Sequence, residues 1–164
     1  MQTFNWTTFT KQIAVRSTLE KMYAAWTNAS EIEKWFLSNA AYFDASKKQI
    51  DKTAAIEKGF TYAWSWFLYD IVEEGSITEA NGKDFIQFTF AGKCIVEIKL
   101  STQDEYIVVE LIQKDIPTDD ASKRGIRLGC DSGWSFYLVN LKSVYEGGLD
   151  LRNKNPELKA MLNS

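Results

Sequence analysis

Trp134, Tyr137, Leu138, Leu141 and Tyr145 fall at i, i+3, i+4, i+7 and i+11, the spacing that lays one continuous apolar stripe along an α-helix. Ile126 and Cys130 extend the stripe backwards in steps of four. The helix is therefore expected to begin near Asp119, after Pro117 stops the preceding strand, with Thr118 as N-cap and two aspartates in the first turn. A one-sided helix of this length needs a broad apolar partner, and most of the preceding chain reads as strands. Gly125, Gly129 and Gly133 lie four apart on the same helix. An interior glycine costs about 1 kcal/mol relative to alanine, so three in line imply close approach of another backbone, a kink, or room for a ligand. Packing or a kink is the expected reading. If a cavity exists, this strip is the first place to look for space.

The strands follow from period-two alternation. Phe9, Ile13 and Val15 share one parity with Lys11, whose stem is expected to lie along the strand with its tip in water. Ser17-Thr18-Leu19-Glu20 and Ser30-Glu31-Ile32-Glu33 are capping-box patterns, and each opens a short helix that is apolar on one side. Ala41-Tyr42-Phe43 suggests a short strand, and residues 46–58 a loop. Phe60, Tyr62, Trp64 and Trp66 give a strand with an aromatic face, read as core and alternatively as an exposed contact surface. Asp70 to Phe90 reads as a hairpin, with Asn81-Gly82 favouring a two-residue turn. Ile86, Phe88 and Phe90 share one face of its second arm. Lys93 to Leu100 and Tyr106 to Ile112 then complete an antiparallel meander, with Cys94, Val96, Ile98 and Leu100 and then Ile107, Val109 and Leu111 inward.

Composition narrows the function classes. The net charge is −3, so no summed positive field draws nucleic acid or anionic lipid. Histidine is absent, which removes Ser-His-Asp, Cys-His and HExxH chemistry. Cys94 and Cys130 lack metal-site spacing and read as reduced thiols. The N-terminus has no secretory pattern and no apolar run is long enough to span a bilayer, so a cytoplasmic protein without membrane insertion is expected. The length suits one domain, 1–164, with residues 149–164 a polar, loosely ordered tail after the Gly147-Gly148 stop.

The order strand, two short helices, antiparallel strands, long terminal helix resembles the START-like, or SRPBCC, superfamily. Within it the chain is similar to the branch of the activator of heat-shock protein 90 ATPase. The residues that carry the likeness are Tyr23-Ala24-Ala25-Trp26-Thr27 with Glu33-Lys34-Trp35-Phe36, then Glu74-Gly75-Ser76-Ile77, then Gly133-Trp134 with Leu138 and Asn140-Leu141-Lys142. The resemblance spans about Phe9 to Gly148. It implies an α+β helix-grip fold, like that of the birch-pollen allergen, in which a curved antiparallel sheet wraps around the C-terminal helix. It also implies an apolar cavity between the two, which in many members holds a lipid, steroid or polyketide. Eukaryotic activators add an N-terminal chaperone-binding domain, for which this length leaves no room.

The leading expectation is non-enzymatic binding of a small hydrophobic, lipid- or polyketide-like ligand between sheet and helix. The residues expected to line the site are Trp64, Trp66, Phe88, Phe90, Val96, Ile98, Leu100, Ile126, Cys130, Trp134, Tyr137, Leu138 and Leu141. Lys11, Ser65 and Tyr137 are candidates for orienting a polar end. No metal, cofactor or catalytic residue is assigned. Three alternatives stay open: solid packing with no cavity, a cyclase, dehydratase or hydrolase using a carboxylate, lysine or tyrosine, and a chaperone-partner or homodimer module built on the Trp64 and Trp66 strand.

Overall fold

The computed structural model describes residues 3–164. Seven strands form one antiparallel sheet in the order β1-β7-β6-β5-β4-β3-β2. They are β1 (Phe9–Arg16), β2 (Asn39–Phe43), β3 (Thr61–Ser65), β4 (Val72–Ala80), β5 (Phe85–Phe90), β6 (Cys94–Gln103) and β7 (Tyr106–Lys114). Between β1 and β2 lie α1 (Leu19–Thr27) and α2 (Ala29–Ile32); after β7 come α3 (Asp120–Ser122), a π-helical stretch Lys123–Leu128, and α4 (Gly129–Tyr145). The sheet curves around α4 in the helix-grip arrangement.

The alternation read from the strands is realised. On β6 and β7 the inward residues Cys94, Val96, Ile98, Leu100, Ile107, Val109 and Leu111 are buried, and the intervening positions are half-buried or exposed. Gln113 continues the inward parity of β7 and is fully buried, a polar group at a core position. Burying sets of this size at about 25 cal/mol per Å² is what holds sheet and helix together.

Several local expectations need correction. Thr18, not Ser17, caps α1 by accepting from the Lys21 N–H at 3.2 Å. Asn28 precedes α2, and its side chain instead donates to the Thr53 carbonyl at 2.7 Å, so the Ser30 pattern is not a capping box here. Asp119, not Thr118, caps α3. The β4–β5 hairpin forms, but its loop is Asn81 to Asp84, because Asn81 Oδ1 accepts from Lys83, Asp84 and Phe85 N–H groups and rounds a wider turn. Gly82 supplies the positive φ of 76° there. Lys11 does not simply reach water: its ammonium pairs with Asp131 of α4.

Gly75 of β4 lies under the Tyr62 ring, so closely that an added Cβ would meet Tyr62 Cζ at 2.5 Å. Tyr62 is held in that position by its hydroxyl, which donates to the Thr89 carbonyl.

The tail makes specific contacts with the body of the fold. Its polarity is spent on specific bonds. Arg152, whose side chain is 5 % exposed, donates to the Leu37 and Glu33 carbonyls and to Asp150. Asn140, buried on α4, donates to the Trp35 carbonyl at 2.7 Å and accepts from the Leu151 N–H at 2.7 Å. Further out, the Asn153 N–H donates to the Asn163 carbonyl.

Candidate functional site

The glycine strip decides where the molecule opens. A Cβ built on Gly125 or Gly133 would meet nothing within 4 Å, and on Gly129 only the Arg124 carbonyl at 3.8 Å. Close packing against another backbone is therefore not their role. A helix distortion does occur there, because Gly125 lies within the π-helical stretch, a feature frequent at functional sites. On another face of the same region, Arg127 packs over Phe4 and Phe9, donates to the Asn5 carbonyl and pairs with Asp131. One side of the helix is thus anchored to the sheet edge, and the other is bare.

The bare side lines an open cleft of about 440 Å³. Gly125, Gly129, Cys130 and Gly133 form one wall; Phe36, Trp66, Phe90, Trp134 and Tyr137 form the aromatic wall; Tyr69, Ile71 and Ser164 stand at its margin. The aromatic wall is stiffened by its own contacts. Phe36 stacks on Trp134 at 4.9 Å between centroids and meets Tyr137 edge-on at 4.8 Å and Trp66 at 5.5 Å, separations at which such pairs are favourable. Trp134 is fixed further by its indole N–H, which donates to Gln113 Oε1 at 3.0 Å.

Of the residues expected at the site, Trp66, Phe90, Cys130, Trp134 and Tyr137 line this cleft. Ile126 is partly buried against the core. Trp64, Phe88, Val96, Ile98, Leu100, Leu138 and Leu141 are core residues, each no more than 6 % exposed. The reason is volume: helix and sheet side chains interdigitate along most of their contact, and this cleft lies where α4 lacks side chains. Ser65 ends β3, where its carbonyl accepts from the Ser38 N–H. Because Trp64 is 1 % exposed, a contact surface built on Trp64 is overturned.

The sequence reading did not assign Phe36, Tyr69 or Ile71 to the site. Phe36 sits in the apolar run after Ile32 and could have been found there; Tyr69 and Ile71 come from the β3–β4 connection, which carries no period. Gln113 was missed although its parity marks it as inward.

Burial pushes the Cys130 thiol up to about 11 and the Tyr137 hydroxyl up to about 12, so both stay protonated at neutral pH. A second cleft of about 470 Å³ lies at the opposite chemical extreme, lined by Arg16, Lys21, Glu31, Lys34 and Glu105 among others. Its charges are largely paired, Arg16 with Glu105 and Lys34 with Glu31, as expected of a solvated face.

The fold and the cleft between sheet and terminal helix define a member of the START-like, SRPBCC class of helix-grip proteins. Within it, the sequence profile of the activator of Hsp90 ATPase homolog 1-like proteins matches residues 16–146, and the chain belongs to that family. Solved structures agree on the fold. Protein SSP2350 of Staphylococcus saprophyticus is 19 % identical, with a TM-score of 0.68 over 88 % of this chain and 96 % of that one. The Aha1 dimer of Colwellia psychrerythraea is 18 % identical, with a TM-score of 0.66 over 86 % and 97 %. DynU16, from the dynemicin biosynthetic locus, is 14 % identical, with a TM-score of 0.68 over 90 % of this chain and 50 % of its own. No curated protein sequence matches the chain. Among the described residues no helix is long and apolar enough to cross a membrane.

Proposed function

We propose that this protein binds a small hydrophobic molecule in the cleft between the glycine strip and the aromatic wall, without transforming it. The observation that carries the reading is one cleft of about 440 Å³ lined by three glycines of the terminal helical region and five aromatic rings, a volume within the roughly 300–1,000 Å³ of small-molecule sites. A flat or elongated apolar ligand fits between the two walls. Binding is favoured over catalysis because the ionisable side chains around the cleft are Cys130, Tyr69 and Tyr137, and the buried thiol and phenol at Cys130 and Tyr137 offer neither a ready nucleophile nor a base. The kinship with a protein of the dynemicin biosynthetic locus supports a polyketide-like or lipid-like ligand over a polar metabolite. Two free thiols are in keeping with a reducing, cytoplasmic setting.

Native mass spectrometry of protein from its own host, with titration of 1-anilinonaphthalene-8-sulfonate and fluorescent fatty acids, tests the reading. The expected result is a single saturable site that perturbs tryptophan emission. No retained molecule and no saturable probe would overturn it.

A second reading, a homodimer, is favoured by the exposed row Leu68, Tyr69, Ile71 and Val72 beside the cleft and by the dimeric Colwellia psychrerythraea relative. Sedimentation velocity across a hundredfold concentration range decides it, with concentration-dependent dimerisation expected and a strict monomer against it.

A further inference from the structure

Among the described residues, Gln113 is the one buried amide beside the cleft. It is fully enclosed, at an inward position of β7 where Ile107, Val109 and Leu111 precede it. The Trp134 indole can only donate, so its 3.0 Å bond to Gln113 Oε1 settles which end of the amide is oxygen. The other end, Nε2, has no partner in hydrogen-bonding geometry. The thiols of Cys94 and Cys130 adjoin the amide, but sulfur is a weak acceptor.

Buried polar groups are nearly always satisfied. Here the unpartnered N–H group lies one layer behind the cleft, since Cys130 and Trp134 both border Gln113 and both line the cleft. Cys130 follows Gly129 and lies one helical turn before Gly133, neither of which bears a side chain. An acceptor atom carried by a ligand and entering at Cys130 would reach this donor where the Cys130 side chain turns aside.

We infer that Gln113 is the specificity-determining group of this cleft, and that its ligand is an apolar ring system bearing a carbonyl oxygen which accepts from Gln113 Nε2. The inference rests on the binding reading above and narrows it. A pure hydrocarbon chain leaves Nε2 unpaired. A polar orienting group of this kind discriminates more sharply than added apolar contact does, because binding the carbonyl-free analogue leaves a buried donor unsatisfied.

Fluorene and 9-fluorenone share one tricyclic skeleton and differ by a single carbonyl, so they make a matched pair of probes for isothermal titration. The wild-type protein is expected to bind fluorenone about tenfold or more tightly than fluorene, a factor worth about 1.4 kcal/mol. Gln113→Met should abolish that preference. Should this variant fail to fold, the wild-type protein decides alone: the Gln113 side-chain amide resonances should shift with fluorenone and stay in place with fluorene. Equal affinities with unmoved Gln113 resonances would overturn this inference and leave the binding reading standing. Failure of both probes to bind would remove both.

Discussion

The Arg152 guanidinium donates to the main-chain carbonyl of Glu33 at 2.9 Å, joining the C-terminal segment to the turn that follows α2. The same group caps the Leu37 carbonyl and pairs with Asp150, so three acceptors depend on one buried side chain. Arg152→Met is expected to cost about 2–4 kcal/mol, because it leaves main-chain carbonyls and a carboxylate without their donor. Hydrogen exchange should accelerate first at Leu151 and Asn153. Unchanged exchange in the segment would contradict the anchoring role.

Asp150 gives that anchor a pH dependence. Burial pushes its carboxyl up, but hydrogen bonds from Arg152, Lys154 and Asn140 outweigh burial and hold it well below the usual carboxylate range. A depressed folded-state pKa means the contribution is complete above the unfolded value of about 3.9 and is lost as pH falls through the folded value. The stability gap between wild type and Asp150→Asn should be constant from pH 7 to about pH 4 and then narrow on further acidification. Urea unfolding at stepped pH measures it, and a gap that widens in acid would be the wrong sign.

At Gly133 stability and binding should part company. The position has open space where a Cβ would go, so Gly133→Ala is expected to stabilise by up to about 1 kcal/mol and to raise Tm by roughly 2–4 °C. Gly133→Leu should stay folded while its side chain fills the cleft and abolishes probe binding. Calorimetry and probe titration on the two variants give both readouts; undiminished binding by the leucine variant would move the ligand elsewhere.

Gly75 is the opposite case, since the Tyr62 ring already occupies the place of a Cβ. Gly75→Ala should destabilise by about 1–3 kcal/mol through displacement of that ring. Pairing it with Tyr62→Leu should recover part of the loss, a coupling that a double-mutant cycle reads directly.

The sheet, its inward faces and the terminal helix were legible because each repeats a simple period over many residues. Val96, Ile98 and Leu100 could be placed inward from their spacing alone. Whether such residues line a cavity or fill it depends on volumes that meet only in three dimensions, and period carries no volume; that is why seven of the expected lining residues turned out to be core. Glycine at 125, 129 and 133 was the informative signal, yet its meaning, room as well as a helix distortion, depended on what lies opposite the helix. Tyr69 and Ile71 were beyond reach, being set by the path of an aperiodic connection. The bonds of Arg152 were not legible either, because nothing local distinguishes an arginine that finds buried carbonyls from one that does not.

The π-helical stretch Lys123–Leu128 also bears on alignment. In a regular α-helix four residues overshoot one turn of 3.6 by about 40°, so positions four apart spiral away from a fixed line. A wider turn, bonded i to i+5, takes up that overshoot and returns Gly125 toward the line of Gly129 and Gly133. The distortion works as a register correction between Gly125 and Gly129, one residue's worth of slack. Deleting Ile126 would take up the slack, restore the regular turn and move Gly125 out of this register, shortening the groove from one end while leaving every contact of α4 with the sheet in place.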